Sequence, residues 1–131
     1  MEKYTVKKVI NKKDINVEVP GSKSITNRAL MLAAISNGKC KLSGVLFSDD
    51  SRAFLDCLDK LGFKLEIDEN AKTVVIQGEN GRIPNNEATI NVRSAGTAAR
   101  FMTVLLAVCG GKYTLESSEQ MKKRPMSELL N

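Results

Sequence analysis

A weak internal repeat constrains this chain more than any other feature. Ile15-Asn16-Val17, then Gly21, an apolar helical stretch, Asn37-Gly38-Lys39 and a strand come first. Ile90-Asn91-Val92, then Gly96, an apolar helical stretch, Gly110-Gly111-Lys112 and a strand come second. Such self-similarity marks one supersecondary unit used twice, each copy burying surface the other leaves open. The unit reads strand, helix, strand, helix, then two strands. The expected fold class is therefore α/β (α+β), from repeated βαβαββ units. Residue 131 falls where the second copy would begin its second helix, so the repeat predicts one complete unit plus part of a second, and more chain beyond it.

Local punctuation supports that order. Loose alternation over residues 4–10 and strict alternation over 15–19 read as strands, with a polar turn at 11–14 between them. Pro20-Gly21 ends the second, and Ser22 opens a helix running to about residue 36, with Asn37-Gly38 as its stop. A short strand follows over 39–45. Ser48-Asp49-Asp50 starts a helix whose Phe54, Leu55, Leu58 and Leu61 share one face, and Gly62 stops it. Residues 63–67 and 73–76 read as a hairpin, followed by a polar stretch over 78–87 and a strand over 90–92. The helix over 96–108 is apolar on nearly every side, which predicts deep burial. A strand over 112–115 and a helix from residue 126 complete the reading.

Composition narrows the chemistry. There is no His, which removes the commonest general acid/base near neutral pH and the commonest zinc ligand. Cys40, Cys57 and Cys109 are isolated and odd in number, so buried reduced thiols in a cytoplasmic protein are expected, with no metal. The longest apolar runs are too short to span a membrane, and no charged-then-apolar leader opens the chain. Lys plus Arg outnumber Asp plus Glu by 20 to 15. A net charge of +5 fits nucleic acid, an anionic surface or small anionic substrates, so the placement of the cations must decide.

The cations gather at helix starts. Ser22-Lys23-Ser24-Ile25-Thr26-Asn27-Arg28 places polar groups on the first turns of a helix, where unpaired N–H groups favour an anion. Ser24 and Arg28, four apart, lie on one face and can grip a carboxylate or phosphate. A phosphate-loop match fails, because the upstream glycine is lacking and Ser separates Gly21 from Lys23. Ser94-Ala95-Gly96-Thr97-Ala98-Ala99-Arg100 repeats the arrangement. There a glycine admits either an anion or a tightly packed helix. Lys122-Lys123-Arg124 precedes Pro125, as solvated surface or as a further anion contact. Asp49 and Asp50 sit in a first helical turn, where acids stabilise the helix dipole; a catalytic role is the alternative.

Residues 20–30, Pro-Gly-Ser-Lys-Ser-Ile-Thr-Asn-Arg-Ala-Leu, closely resemble the first signature of the 5-enolpyruvylshikimate-3-phosphate synthase family, the 3-phosphoshikimate 1-carboxyvinyltransferases. Residues 95–100, Ala-Gly-Thr-Ala-Ala-Arg, resemble its second signature and 121–126, Met-Lys-Lys-Arg-Pro-Met, its third. Ser48-Asp49-Asp50 also matches. The resemblance implies enolpyruvyl transfer from phosphoenolpyruvate to the 5-hydroxyl of shikimate 3-phosphate with release of phosphate, on the way to chorismate and the aromatic amino acids. It implies no metal or organic cofactor. By motif, Lys23 would contact both substrates near the reacting hydroxyl, and Ser24 and Arg28 would hold shikimate 3-phosphate. Gly96 and Arg124 would bind phosphoenolpyruvate, on a surface that glyphosate also occupies in the family. Thr97 would lie beside that pocket, and Asp49 is a further possible site residue. Ser94 departs from the family, many members of which carry Asn there.

The resemblance also implies an architecture. Members run to several times this length as two domains, each of three βαβαββ units, with the active site between them. Residues 1–19 would pack with the other domain, and 20–131 would form part of the N-terminal substrate-binding domain: unit one over about 20–80, an incomplete unit two over about 88–131. The principal proton-transfer groups would lie in the missing C-terminal part of the enzyme, leaving this chain inactive alone. Two other classes remain as rivals, a basic RNA-binding βαβ module and a non-catalytic anion-binding domain. Two Tyr, four Phe and no Trp offer little for base stacking, so nucleic acid is not the expected partner, and the short apolar runs leave no membrane expected either.

Overall fold

The computed structural model describes residues 2–8 and 14–131. The element order is α1 (Lys23–Ile35), β1 (Asn37–Ser43), α2 (Asp49–Lys60), β2 (Leu65–Asp68), β3 (Thr73–Glu79), β4 (Glu87–Asn91), α3 (Gly96–Cys109), β5 (Lys112–Glu116), α4 (Glu119–Lys122) and α5 (Ser127–Leu130). The mixed α/β class matches the expectation.

Residues 23–79 fold as two helices on an antiparallel sheet of order β1-β3-β2. Alternation sets its register: Cys40 opposes Ile76, Leu42 opposes Val74, and Leu65 and Ile67 oppose the same two residues from the other side. One-residue slippage would turn this apolar set to solvent. Helix α1 lies so close over β3 that a Cβ at Gly78 would clash with the carbonyls of Ala33 and Ser36. Residues 87–116 form a parallel pair, β4 with β5, joined through α3. Parallel neighbours need such a crossover.

Helix α2 centres the core. Its Ala53, Phe54, Cys57 and Leu58 are almost wholly buried, together with Leu30 of α1, Val74 and Ile76 of β3, Ile90 of β4 and Met102 of α3. Phe54 meets Phe101 edge-on, with centroids 6.4 Å apart, an arrangement that adds about 0.5–1.5 kcal/mol to burial. Asn85 links α2 to β5: its side-chain amide donates to the Lys60 carbonyl (3.0 Å), and its backbone carbonyl accepts from the Tyr113 hydroxyl (2.8 Å).

Several expectations are corrected. Residues 2–8 and 14–20 form no strand; the remainder of the expected 4–10 strand and most of the 11–14 turn lie outside the described residues. Ile15, Val17 and Val19 are 76%, 73% and 80% exposed. A strand exists only with a hydrogen-bonded neighbour, and no described strand lies beside this segment. Asn37-Gly38 does not stop α1: Ser36 caps it, and Asn37 already pairs with Glu79 in the sheet. Helix α3 is not buried all round, since Val104 and Val108 face outward. Strand β3 runs on to Glu79 because β1 extends its ladder, and the short helix α4 was not anticipated.

Candidate anion-binding site at two helix starts

At the start of α1, the Ser22 hydroxyl accepts from the Ile25 amide at 3.3 Å. Gly21 is pressed against the Gly44 carbonyl, where a Cβ would clash. The Leu46 amide donates to the Thr26 hydroxyl at 3.2 Å. The helix start is therefore fixed to the turn after β1. One turn on, Arg28 Nη1 donates to the Ser24 carbonyl at 3.1 Å and also to the Ser24 hydroxyl. Ser24 and Arg28 thus meet, as their spacing predicts. Lys23 Nζ lies 2.9 Å from Asp50, in the first turn of α2. This partly exposed pair is worth at most about 1 kcal/mol. Asp49 is exposed beside it, and α2 carries a reciprocal Ser48–Ser51 capping box. The acids therefore sit where a helix dipole stabilises them.

The start of α3 differs. Its cap, Ala95, offers no side-chain acceptor, whereas Ser22, Ser48 and Ser118 cap α1, α2 and α4. Gly96 is buried in the first turn, and Thr97 beside it is half-buried. A Cβ built at Gly96 would lie 2.8 Å from Arg124 Nη1 and 3.2 Å from Arg100 Nη1. Arg100 Nη1 donates to the Gly96 carbonyl at 3.1 Å, the same contact at the same spacing that Arg28 makes to Ser24. The tertiary fold thus carries Arg124, 28 residues downstream, onto Gly96.

The segment bearing Arg124 is tethered to the approach to α3. The Ser118 amide donates to the Arg93 carbonyl at 2.9 Å, the Ser94 and Ser118 hydroxyls lie 2.7 Å apart, and the Ser118 hydroxyl caps Met121 at 3.1 Å. Of the three-cation run, Lys122 pairs with Glu119 at 2.6 Å, a hydrogen bond that raises its pKa. Lys123 is exposed. Only Arg124 reaches the helix start.

This arrangement is electrostatically unusual. A helix N-terminus carries partial positive charge, so cations there are unfavourable unless an anion intervenes. Among the described residues, Arg28, Arg100 and Arg124 have no carboxylate within ion-pair distance. Unpaired guanidinium groups and free helical N–H groups are the elements that bind phosphate and carboxylate. The sequence reading quoted Arg100 only as the end of a motif and gave it no role; the Ser24/Arg28 spacing repeated at Gly96/Arg100 was the available signal. It gave no role to Ser118. It also missed that Asn27, inside the first signature, is fully buried with its amide unpartnered by protein atoms.

Fold and site together define a mixed α/β protein in which cations gather at two helix starts. Comparison gives the family. Residues 8–131 match the family model described as EPSP synthase (3-phosphoshikimate 1-carboxyvinyltransferase), and the chain belongs to that family. It is 44% identical over 117 residues to the 3-phosphoshikimate 1-carboxyvinyltransferase of Trichormus variabilis, covering 89% of this chain and 28% of that protein. The enzyme of the same name from Neisseria meningitidis is 42% identical over 119 residues, 91% of this chain and 27% of that protein. The solved EPSP synthase of Acinetobacter baumannii superposes with a TM-score of 0.74 at 26% identity, covering 85% of this chain and 25% of that structure. The chain thus spans about a quarter of the length of these relatives. No helix among the described residues is long and apolar enough to cross a membrane.

Proposed function

We propose that this chain supplies part of the substrate site for transfer of the enolpyruvyl group from phosphoenolpyruvate to the 5-hydroxyl of shikimate 3-phosphate. In that reaction the methylene carbon of phosphoenolpyruvate gains a proton and the 5-hydroxyl oxygen bonds to the adjacent carbon. The C–O bond to phosphate then breaks, and a methyl proton leaves to restore the double bond. Both substrates are polyanions. The observation that carries the reading is the meeting of Arg124 with Gly96 at an uncapped helix start, unpaired by any described carboxylate.

In this reading Ser24 and Arg28 hold shikimate 3-phosphate, with Arg28 on its carboxylate. Lys23 stands near the reacting hydroxyl, exchanging its Asp50 partner for substrate. Gly96 and Arg124 hold phosphoenolpyruvate, Thr97 borders that pocket, and Asp49 flanks Lys23. Residues 1–19 belong with a second domain, and the bare apolar edge of Ile15, Val17 and Val19 is consistent with that. Residues 20–131 form part of the first domain. The principal proton-transfer groups then come from the portion of the relatives without a counterpart here, and the reaction takes place in the cytoplasm.

Calorimetric titration of the chain with shikimate 3-phosphate, at low and moderate salt, tests the reading. Saturable one-to-one binding, abolished by Arg28→Ala, is expected, with no turnover by the chain alone. A folded chain that binds nothing, or that releases phosphate from the two substrates at the rate of a complete enzyme, would overturn it.

A further inference from the structure

We propose that Arg100 is a positioning residue that holds Arg124 over the start of α3, an inference that rests on the phosphoenolpyruvate reading of that site. Three observations carry it. Arg100 spans two segments: one guanidinium nitrogen bonds the Gly96 carbonyl at 3.1 Å, and the other bonds the Pro125 carbonyl at 3.3 Å. Pro125 follows Arg124 directly, so this second bond holds the backbone one residue beyond the arginine. On the other side, the Ser94–Ser118 contact and the Ser118 cap hold the α4 turn that precedes Arg124. Arg124 therefore stands between two tethers, with Arg100 supplying the one nearer its side chain.

The second observation is the crowding itself. Both guanidinium groups lie within 3.2 Å of one point beside Gly96. Left alone, they repel each other and the helix dipole. A planar fork tied to two carbonyls resists that repulsion because its donors are fixed in direction, which an ammonium on a flexible stem cannot imitate. The third is the repeat. Arg28 makes the same four-residue contact to Ser24 but, among the described residues, bonds no second segment, which leaves its remaining donors open for ligand. Arg100 spends one donor of each terminal nitrogen on backbone carbonyls of two segments and serves by holding its neighbour.

The test uses the whole 131-residue chain, Arg100→Gln and Arg100→Lys, with phosphoenolpyruvate as the probe. Without ligand, the order of the Arg124 Nε–H group is read by NMR relaxation. It is expected to fall in both variants while the backbone shifts of α1 and α2 stay in place. Unchanged Arg124 order in Arg100→Gln overturns the proposal, whatever the ligand does. With ligand, affinity followed at the Gly96 amide is expected to weaken about tenfold in both variants, because Lys keeps the charge but not the two-carbonyl fork. Full affinity in Arg100→Lys would show that Arg100 acts by charge alone and would also overturn the proposal. If the parent chain shows no phosphoenolpyruvate-dependent change at Gly96, the site reading fails, and the ligand-free order still decides the positioning.

Discussion

Gly96→Ala is expected to separate binding from stability. The added Cβ would lie 2.8 Å from Arg124 Nη1 and 3.2 Å from Arg100 Nη1, against the 3.4 Å at which ordinary contact begins. Both obstacles are side-chain ends rather than backbone, and among the described residues no backbone atom outside the helix's own first turns lies within 4 Å of the Cβ. Relief costs the fold little: the Arg124 guanidinium must retreat by about half an ångström or more. Alanine's better helix propensity offsets part of that, by up to about 0.5–1 kcal/mol in a helix interior and less at a first turn. Folding stability should therefore change by under about 1 kcal/mol. An anion gripped between the guanidinium and the helical N–H groups suffers more, because charge-assisted bonds depend on short, aligned contacts. A loss of about 1.4 kcal/mol is a tenfold weaker Kd. Urea unfolding and titration with phosphoenolpyruvate read the two quantities separately. Unaltered affinity would refute the placement of the anion between Gly96 and Arg124. A stability loss beyond about 2 kcal/mol would refute the claim that only side-chain ends crowd the site.

Gly78→Ala should behave in the opposite way, since its Cβ would strike the Ala33 and Ser36 backbone of α1, which cannot swing aside. A loss toward the upper end of about 1–3 kcal/mol in urea unfolding is expected, and a change under about 1 kcal/mol would contradict the close α1–β3 approach. Phe54→Ala, at a fully buried position against Phe101, should cost about 3–5 kcal/mol by the same assay. Burial pushes the Cys57 thiol up to about 12. The native chain should leave it unmodified by a thiol reagent at pH 8, and unfolding should expose it; rapid native labelling of Cys57 would contradict its burial. Because the folded state holds this proton more tightly, the associated stability is complete below about pH 9 and declines as pH rises toward about 12. Cys57→Ala should flatten that decline in alkaline unfolding curves.

Much of the fold was legible because its signals are local. Ser22 and Ser48 cap the helices they were expected to open, and Gly62, with φ of 91°, ends α2 where a left-handed residue was required. The hairpin of β2 and β3 and the strand-helix-strand around α3 stand close to their expected places. The strand expected over 15–19 failed because alternation describes only how a strand would present its faces. Pairing depends on a neighbour that the segment itself does not contain. Deep burial of α3 failed for a related reason: an apolar circumference says what a helix can bury, and the packing around it decides which sides are covered.

The candidate site divides along the same line. Contacts that span three or four residues follow from local pattern: the Ser22 cap, the Ser24–Arg28 pair and the place of Gly96 at a helix start. Helical periodicity alone brings such residues together. Long-range packing alone brings Arg124 onto Gly96, sets Asp50 against Lys23 and ties α3 to Pro125 through Arg100. Each of these contacts joins two different elements. Their meeting depends on the path of the chain through the whole core, around α2 and across the parallel pair of β4 and β5, which no local pattern encodes.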